Sequence, residues 1–185
     1  MKKLFQNKEA LIHILKFLLL FLVFYYGTKT IIGLSFKDGL YSSFVNDYLD
    51  YISLIKRTLM FGTKIIAGCF GYSTVYEPNF LIRVINKRGV IISQGCVGYG
   101  VMSFWVAFII AGKNIVSKKI TWCISGLILI WVINVIRIGL FLVSINKGWK
   151  MPFGIDHHTW FNIFAYFGIF IMIYFYEKSL SKNES

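Results

Sequence analysis

At 185 residues, 57% hydrophobic and 18% aromatic, the chain carries more apolar side chain than a domain of its size can bury, which excludes an ordinary water-soluble fold. A formal charge of +12 would suit a nucleic-acid binder. Its basic residues, however, sit mostly at the ends of apolar runs rather than on a soluble module, which argues against nucleic acid and points to lipid head groups.

Taken in chain order, the first apolar run covers residues 11–26, preceded by Lys2, Lys3 and Lys8. No small-x-small cleavage pattern follows. The run ends in Phe24-Tyr25-Tyr26-Gly27, aromatics that suit a membrane–water interface, so residues 1–27 read as a retained transmembrane helix with a cytoplasmic N-terminus. His13 inside it reads as structural. Residues 28–95 are then expected outside. Within them, 41–72 is helix-like but carries Asp47, Asp50, Lys56, Arg57 and Lys64. Charges are costly in hydrocarbon, so this segment is expected to be an amphipathic helix on the outer surface or a re-entrant one. Residues 80–86 and 89–93 have the composition of strands, and Asn86-Lys87-Arg88-Gly89 supplies the turn of a small external hairpin.

Residues 96–177 hold three further runs, at 97–112, 120–145 and 159–176, each close to the length of a bilayer-spanning helix. Lys113, Lys118 and Lys119 lie between the first two, and Lys178 and Lys182 follow the third, in a tail at 178–185. The positive-inside bias puts these basic loops in the cytoplasm, so 97–112 runs inward, 120–145 outward and 159–176 inward. A short loop, 148–154, contains Pro152. The expected architecture is an all-α polytopic membrane protein, 1–185 as a single membrane domain, with about four transmembrane helices, an amphipathic or re-entrant helix and a small external β-hairpin.

Four groups of residues could carry chemistry. Three cysteines, Cys69, Cys96 and Cys123, form neither a disulfide framework nor a Cys-x-x-Cys metal pair. Cys69 and Cys123 read as buried apolar thiols. Cys96, flanked by Gly95 and Gly98, is expected in the first turn of its membrane helix, where free N–H groups and the helix dipole favour a thiolate nucleophile. Arg137 lies inside an apolar helix, with Asn134 one turn before it on the same face. A guanidinium at that depth costs at least ~2.5 kcal/mol and marks a functional site. His157 and His158 follow Asp156, which could orient an imidazole for proton transfer. A sulfur, a cation and a proton carrier directed toward one membrane face are what acyl transfer requires.

In sequence, Cys96-Val97-Gly98 resembles the Cys-x-Gly element of exosortases and archaeosortases. Asn134-Val135-Ile136-Arg137-Ile138 is similar to their Asn-x-x-Arg-Ile motif, and Asp156-His157-His158 to their third, histidine-bearing motif. The resemblance covers roughly 72–176. The family usually shows one histidine followed by a glycine, whereas this chain has two, with Asn162 in that region. The resemblance implies a cysteine transpeptidase or protease in the cell inner (plasma) membrane, with its site on the external face. Cys96 would be the nucleophile, Arg137 the cationic partner, and His157 or His158 the acid/base, with no metal or organic cofactor. Its partner would be an exported protein ending in a hydrophobic helix and a basic cluster. Two other readings are a non-enzymatic membrane assembly factor and a transporter subunit.

Overall fold

The computed structural model describes residues 2–35, 40–112, 115–149 and 157–181. Among them the chain runs α1 (Lys2–Leu34), α2 (Ser43–Tyr48), α3 (Tyr51–Cys69), β1 (Thr74–Glu77), β2 (Leu81–Val84) and β3 (Gly89–Ile91). It continues through a single 3-10 turn (Gln94–Val97) into α4 (Tyr99–Ala111), α5 (Val116–Lys147) and α6 (His157–Ser181). Three stretches are long and apolar enough to cross a bilayer: Ala10–Leu34, Gln94–Ala111 and Val116–Lys147. They are the mark of a membrane protein. The run at 159–176 falls within α6, which is 25 residues long. Large apolar side chains point outward along α1, with Leu19 64% exposed, as lipid contact allows and water would not.

The chain divides into two compact units, Met1–Asp50 with Tyr99–Leu127, and Tyr51–Gly98 with Ile128–Ser185. In the first, α1 and α4 pack through rings. Tyr25 stacks on Tyr99 at 5.4 Å, and Phe17 meets Phe104 edge-on at 5.4 Å. The order of these pairs makes the two helices antiparallel. Trp105 is fully buried, and its indole N–H donates to the Trp122 carbonyl at 3.0 Å. The indole occupies the space a side chain at residue 126 would need, so only glycine fits there. At the end of α4, the Lys119 ammonium donates to the Ile110 carbonyl at 2.9 Å, satisfying one of the orphan acceptors of a helix C-terminus.

In the second unit, α3 lies against α5 along matching four-residue ridges. Thr58 accepts a 3.0 Å hydrogen bond from the Trp131 indole, Gly62 faces Val135, and Ile66 faces Gly139. A Cβ on Gly62 would come within 2.6 Å of a Val135 methyl, and one on Gly139 within 2.5 Å of Ile66. Because both series rise together, α3 and α5 run parallel, in ridge-into-groove packing. Their ends also meet, with Phe70 edge-on to Trp149 at 6.1 Å. Each helix closes on a left-handed glycine, Gly71 and Gly148, with Tyr72 N–H reaching back to Ala67 and Trp149 N–H to Ser144, the Schellman arrangement. Gly168 of α6 packs on Ile133 of α5.

The sheet is a three-stranded antiparallel meander in the order β1-β2-β3. Val75 pairs with Arg83 and Ile82 with Val90. The expected hairpin is therefore present as β2–β3, with a third strand, β1, that Thr74-Val75-Tyr76-Glu77 supplies. Four residues just before Pro78 are too short for their alternation to be read alone. Ile82, Val84 and Val90 face inward, as period-two alternation dictates. The helix-like stretch 41–72 is broken at Leu49–Asp50 into α2 and α3. In α3 the buried residues Ile52, Leu59, Met60, Gly62, Thr63 and Ala67 form one face and Arg57 and Lys64 lie off it, while Lys56 is half-buried at its centre, so the amphipathic pattern its sequence implies is present in part.

Candidate active site

Cys96 lies in the 3-10 turn Gln94–Val97, between β3 and α4. Its N–H donates to the Ser93 carbonyl at 3.1 Å, and its Sγ is 3.4 Å from the Ser93 hydroxyl. The next two residues decide where the sulfur is held. Val97 is fully buried, and Gly98 takes φ +73°, the left-handed region, which glycine enters without steric cost. That residue separates the turn from α4, which begins at Tyr99. Cys96 thus heads the span Gln94–Ala111 from a 3-10 turn that precedes the first turn of α4, which weakens the helix-dipole argument for it. A four-residue turn sums too few peptide dipoles. What faces the sulfur is a hydroxyl, able to donate to it in its anionic form.

Asn134 fixes this turn. The amide is 4% exposed, and its Nδ2 donates to the Val97 carbonyl at 3.0 Å. The same nitrogen lies where a Cβ on residue 98 would come within 2.7 Å. The glycine conformation and the asparagine amide therefore form one fitted joint. A carbonyl freed by the αL break is satisfied by the one polar group α5 offers at that level. Arg137, half-buried, follows on the same helix three residues later, about 4.5 Å along the axis and about 60° around it. The joint thus holds the cysteine backbone within one helical turn of the arginine's level.

Gly95 has open space around its Cα, its nearest neighbour being the Ser93 hydroxyl at 3.8 Å from a built Cβ. Its absence of a side chain is not a packing requirement. His157 and His158 form the first turn of α6. Their side chains lie outside the described residues, as do Asp156 and Pro152. Cys69, expected to be buried, is exposed at the last position of α3, and Cys123 is half-buried; the end of a helix leaves its final side chain uncovered. Among the described residues no three His, Cys, Asp or Glu side chains gather as a metal site would require.

Two features escaped sequence reasoning. Ser93 is exposed and ordinary in sequence; only the 3-10 turn brings its hydroxyl to the sulfur. Asn146, near the end of α5, clamps the β2–β3 turn from both sides. Its Oδ1 accepts from Arg88 N–H at 3.0 Å and its Nδ2 donates to the Arg88 carbonyl at 3.1 Å. The clamp holds the sheet that delivers the chain to Cys96. α3 packs against the cysteine turn as well, and its Thr63 hydroxyl is buried without a hydrogen-bond partner among the described residues.

No family model, curated protein or solved structure matches this chain.

Proposed function

We propose that the chain is an exosortase-like membrane transpeptidase or protease that cleaves C-terminal sorting signals of exported proteins. One observation carries the reading: the Asn134 amide donates to the Val97 carbonyl at 3.0 Å. It joins two motif residues 37 positions apart, and a nucleophile turn built on a helix that bears a cation is what the chemistry requires.

In this mechanism the Cys96 thiolate attacks the scissile carbonyl carbon, and the Ser93 hydroxyl donates to the sulfur before attack. The negative charge that moves to the carbonyl oxygen is met by Arg137, or Arg137 holds the thiolate itself. Collapse of the tetrahedral species breaks the C–N bond. His157 or His158 gives its proton to the departing amine, and a Cys96 thioester remains. Water or an amine acceptor then takes the acyl group and regenerates the thiolate.

The topology that goes with it has α6 as a fourth span, a cytoplasmic N-terminus, and the site on the external face of the plasma membrane. α5, at 32 residues, is about 48 Å long against a hydrocarbon core of about 30 Å.

The test co-expresses the chain with an exported protein ending in a hydrophobic helix and a basic cluster, and follows its cleavage by mass. Wild-type chain should shorten the substrate, and Cys96→Ala should abolish shortening while the protein still inserts in the membrane. Cleavage that persists in Cys96→Ala refutes the proposal.

A further inference from the structure

A second feature lies on the opposite side of α3 from the α5 seam. Arg57 and Met60 of α3, with Tyr76 and Glu77 of β1 and Asn79 and Phe80 of the β1–β2 turn, line a cleft of about 420 Å³, a size that suits a small ligand or a head group. Its charge is lopsided. The one carboxylate among the described lining residues, Glu77, is taken by Arg83, which donates from Nε to Oε1 at 2.6 Å and from Nη2 to Oε2 at 3.2 Å. That two-pronged pair leaves Glu77 little charge to offer. Arg57 is exposed and has no hydrogen-bond or ion-pair partner among the described residues. The Lys56 ammonium sits 4.7 Å from the centre of the Phe80 ring, and that of Lys64 5.7 Å from the Tyr76 ring. The aromatic walls thus hold two further cations beside the guanidinium. Desolvation raises the Tyr76 phenol above its ordinary value, so it remains a hydrogen-bond donor at neutral pH.

The turn that forms one wall is strained. Asn79 and Phe80 both take left-handed φ, +61° and +57°, a backbone that is unfavourable for a bulky residue. Strain of this kind is held where it positions something, and here it sets the Phe80 ring at the cleft and under Lys56. The neighbouring surface tells what the occupant is. Leu54, Phe61 and Ile65 are 62%, 60% and 53% exposed and alternate with Arg57 and Lys64 along one face of α3. Large apolar side chains interleaved with cations match lipid, with acyl chains on the former and phosphate on the latter. An acidic peptide would be served by the cations alone and leaves those apolar residues uncovered.

We infer that the cleft between α3 and the β1–β2 turn binds the phosphate of an anionic phospholipid, with Arg57 as its principal contact. This inference does not rest on the proposed peptide chemistry, and Cys96→Ala protein serves for the test as well as wild type. The full chain is purified in detergent and titrated with phosphatidylglycerol or phosphatidylcholine of identical acyl chains, and bound lipid is counted by native mass spectrometry. Phosphatidylglycerol should bind at least tenfold more tightly. Arg57→Gln should erase most of that preference without changing phosphatidylcholine binding. Arg57→Lys should retain part of it, and Lys118→Gln, elsewhere in the chain, all of it. Equal binding of the two lipids, or an Arg57→Gln chain that prefers phosphatidylglycerol as wild type does, overturns the inference. So does displacement of the lipid by inorganic phosphate or by a short acidic peptide at comparable concentration, which would assign the cleft to a free anion or to protein instead.

Discussion

The α1–α4 seam and the α3–α5 seam solve the same problem, helix association without a hydrophobic drive, in different ways. α1 meets α4 through Phe17, Phe21, Tyr25, Tyr99 and Phe104, broad rings whose contact energy changes slowly as one helix slides or rotates. α3 meets α5 through Gly62, Gly139 and the Thr58–Trp131 hydrogen bond. Small residues let the backbones approach and leave no freedom to slide. The cysteine turn lies with the second seam, in the unit where polar anchors at Asn134 and Asn146 add register to packing. On the proposed reading, a sulfur that is to be held in place against a helix belongs on the rigid seam and not on the compliant one.

That contrast can be broken most forcefully at the small residues. Gly62→Val drives branched carbons into Val135 and should cost about 3 kcal/mol, the upper range for overpacking. Thermal unfolding in detergent would show it, and Val135→Ala in the same chain should recover a large part. Gly98→Ala should lose about 2 kcal/mol locally, from the left-handed backbone and the Asn134 amide together. Substrate shortening should disappear in a chain that still inserts, with the rate of Cys96 alkylation altered. Asn134→Ala leaves the Val97 carbonyl without its donor, worth about 1 kcal/mol of stability, and should slow substrate shortening more than tenfold. Phe104→Leu, on the compliant seam, should shift the unfolding midpoint by the equivalent of about 0.5–1 kcal/mol and leave processing near wild type. Gly95→Ala should be the mildest, within about 0.5 kcal/mol. A Gly95→Ala chain as damaged as Gly98→Ala would show that the joint has been misplaced by three residues.

Much of this was legible beforehand because membrane patterns are strong. The runs at 97–112 and 120–145 and the strands around Ile82 and Val90 follow from length, hydropathy and alternation, signals that survive without tertiary context. The pairing of Asn134 with the cysteine segment was not readable, since no local pattern tells an asparagine which carbonyl it will meet. Nor was the break at Gly98. A glycine after Cys-Val fits equally well as a helix residue, and the Asn134 amide that leaves no room for a side chain there comes from a distant helix.

What the residues settled alone is the membrane character, the long apolar helices and two of the three strands, and the polar side chains placed at cost in an apolar chain. Those are properties of composition and short-range spacing, which act through solvation and backbone sterics. The tertiary structure decided the rest: that α3 runs parallel to α5, that Ser93 meets the Cys96 sulfur, and that Arg57 faces a cleft rather than a carboxylate. Each depends on which surfaces are brought together across tens of residues, and shape complementarity between distant segments leaves no trace in either segment by itself.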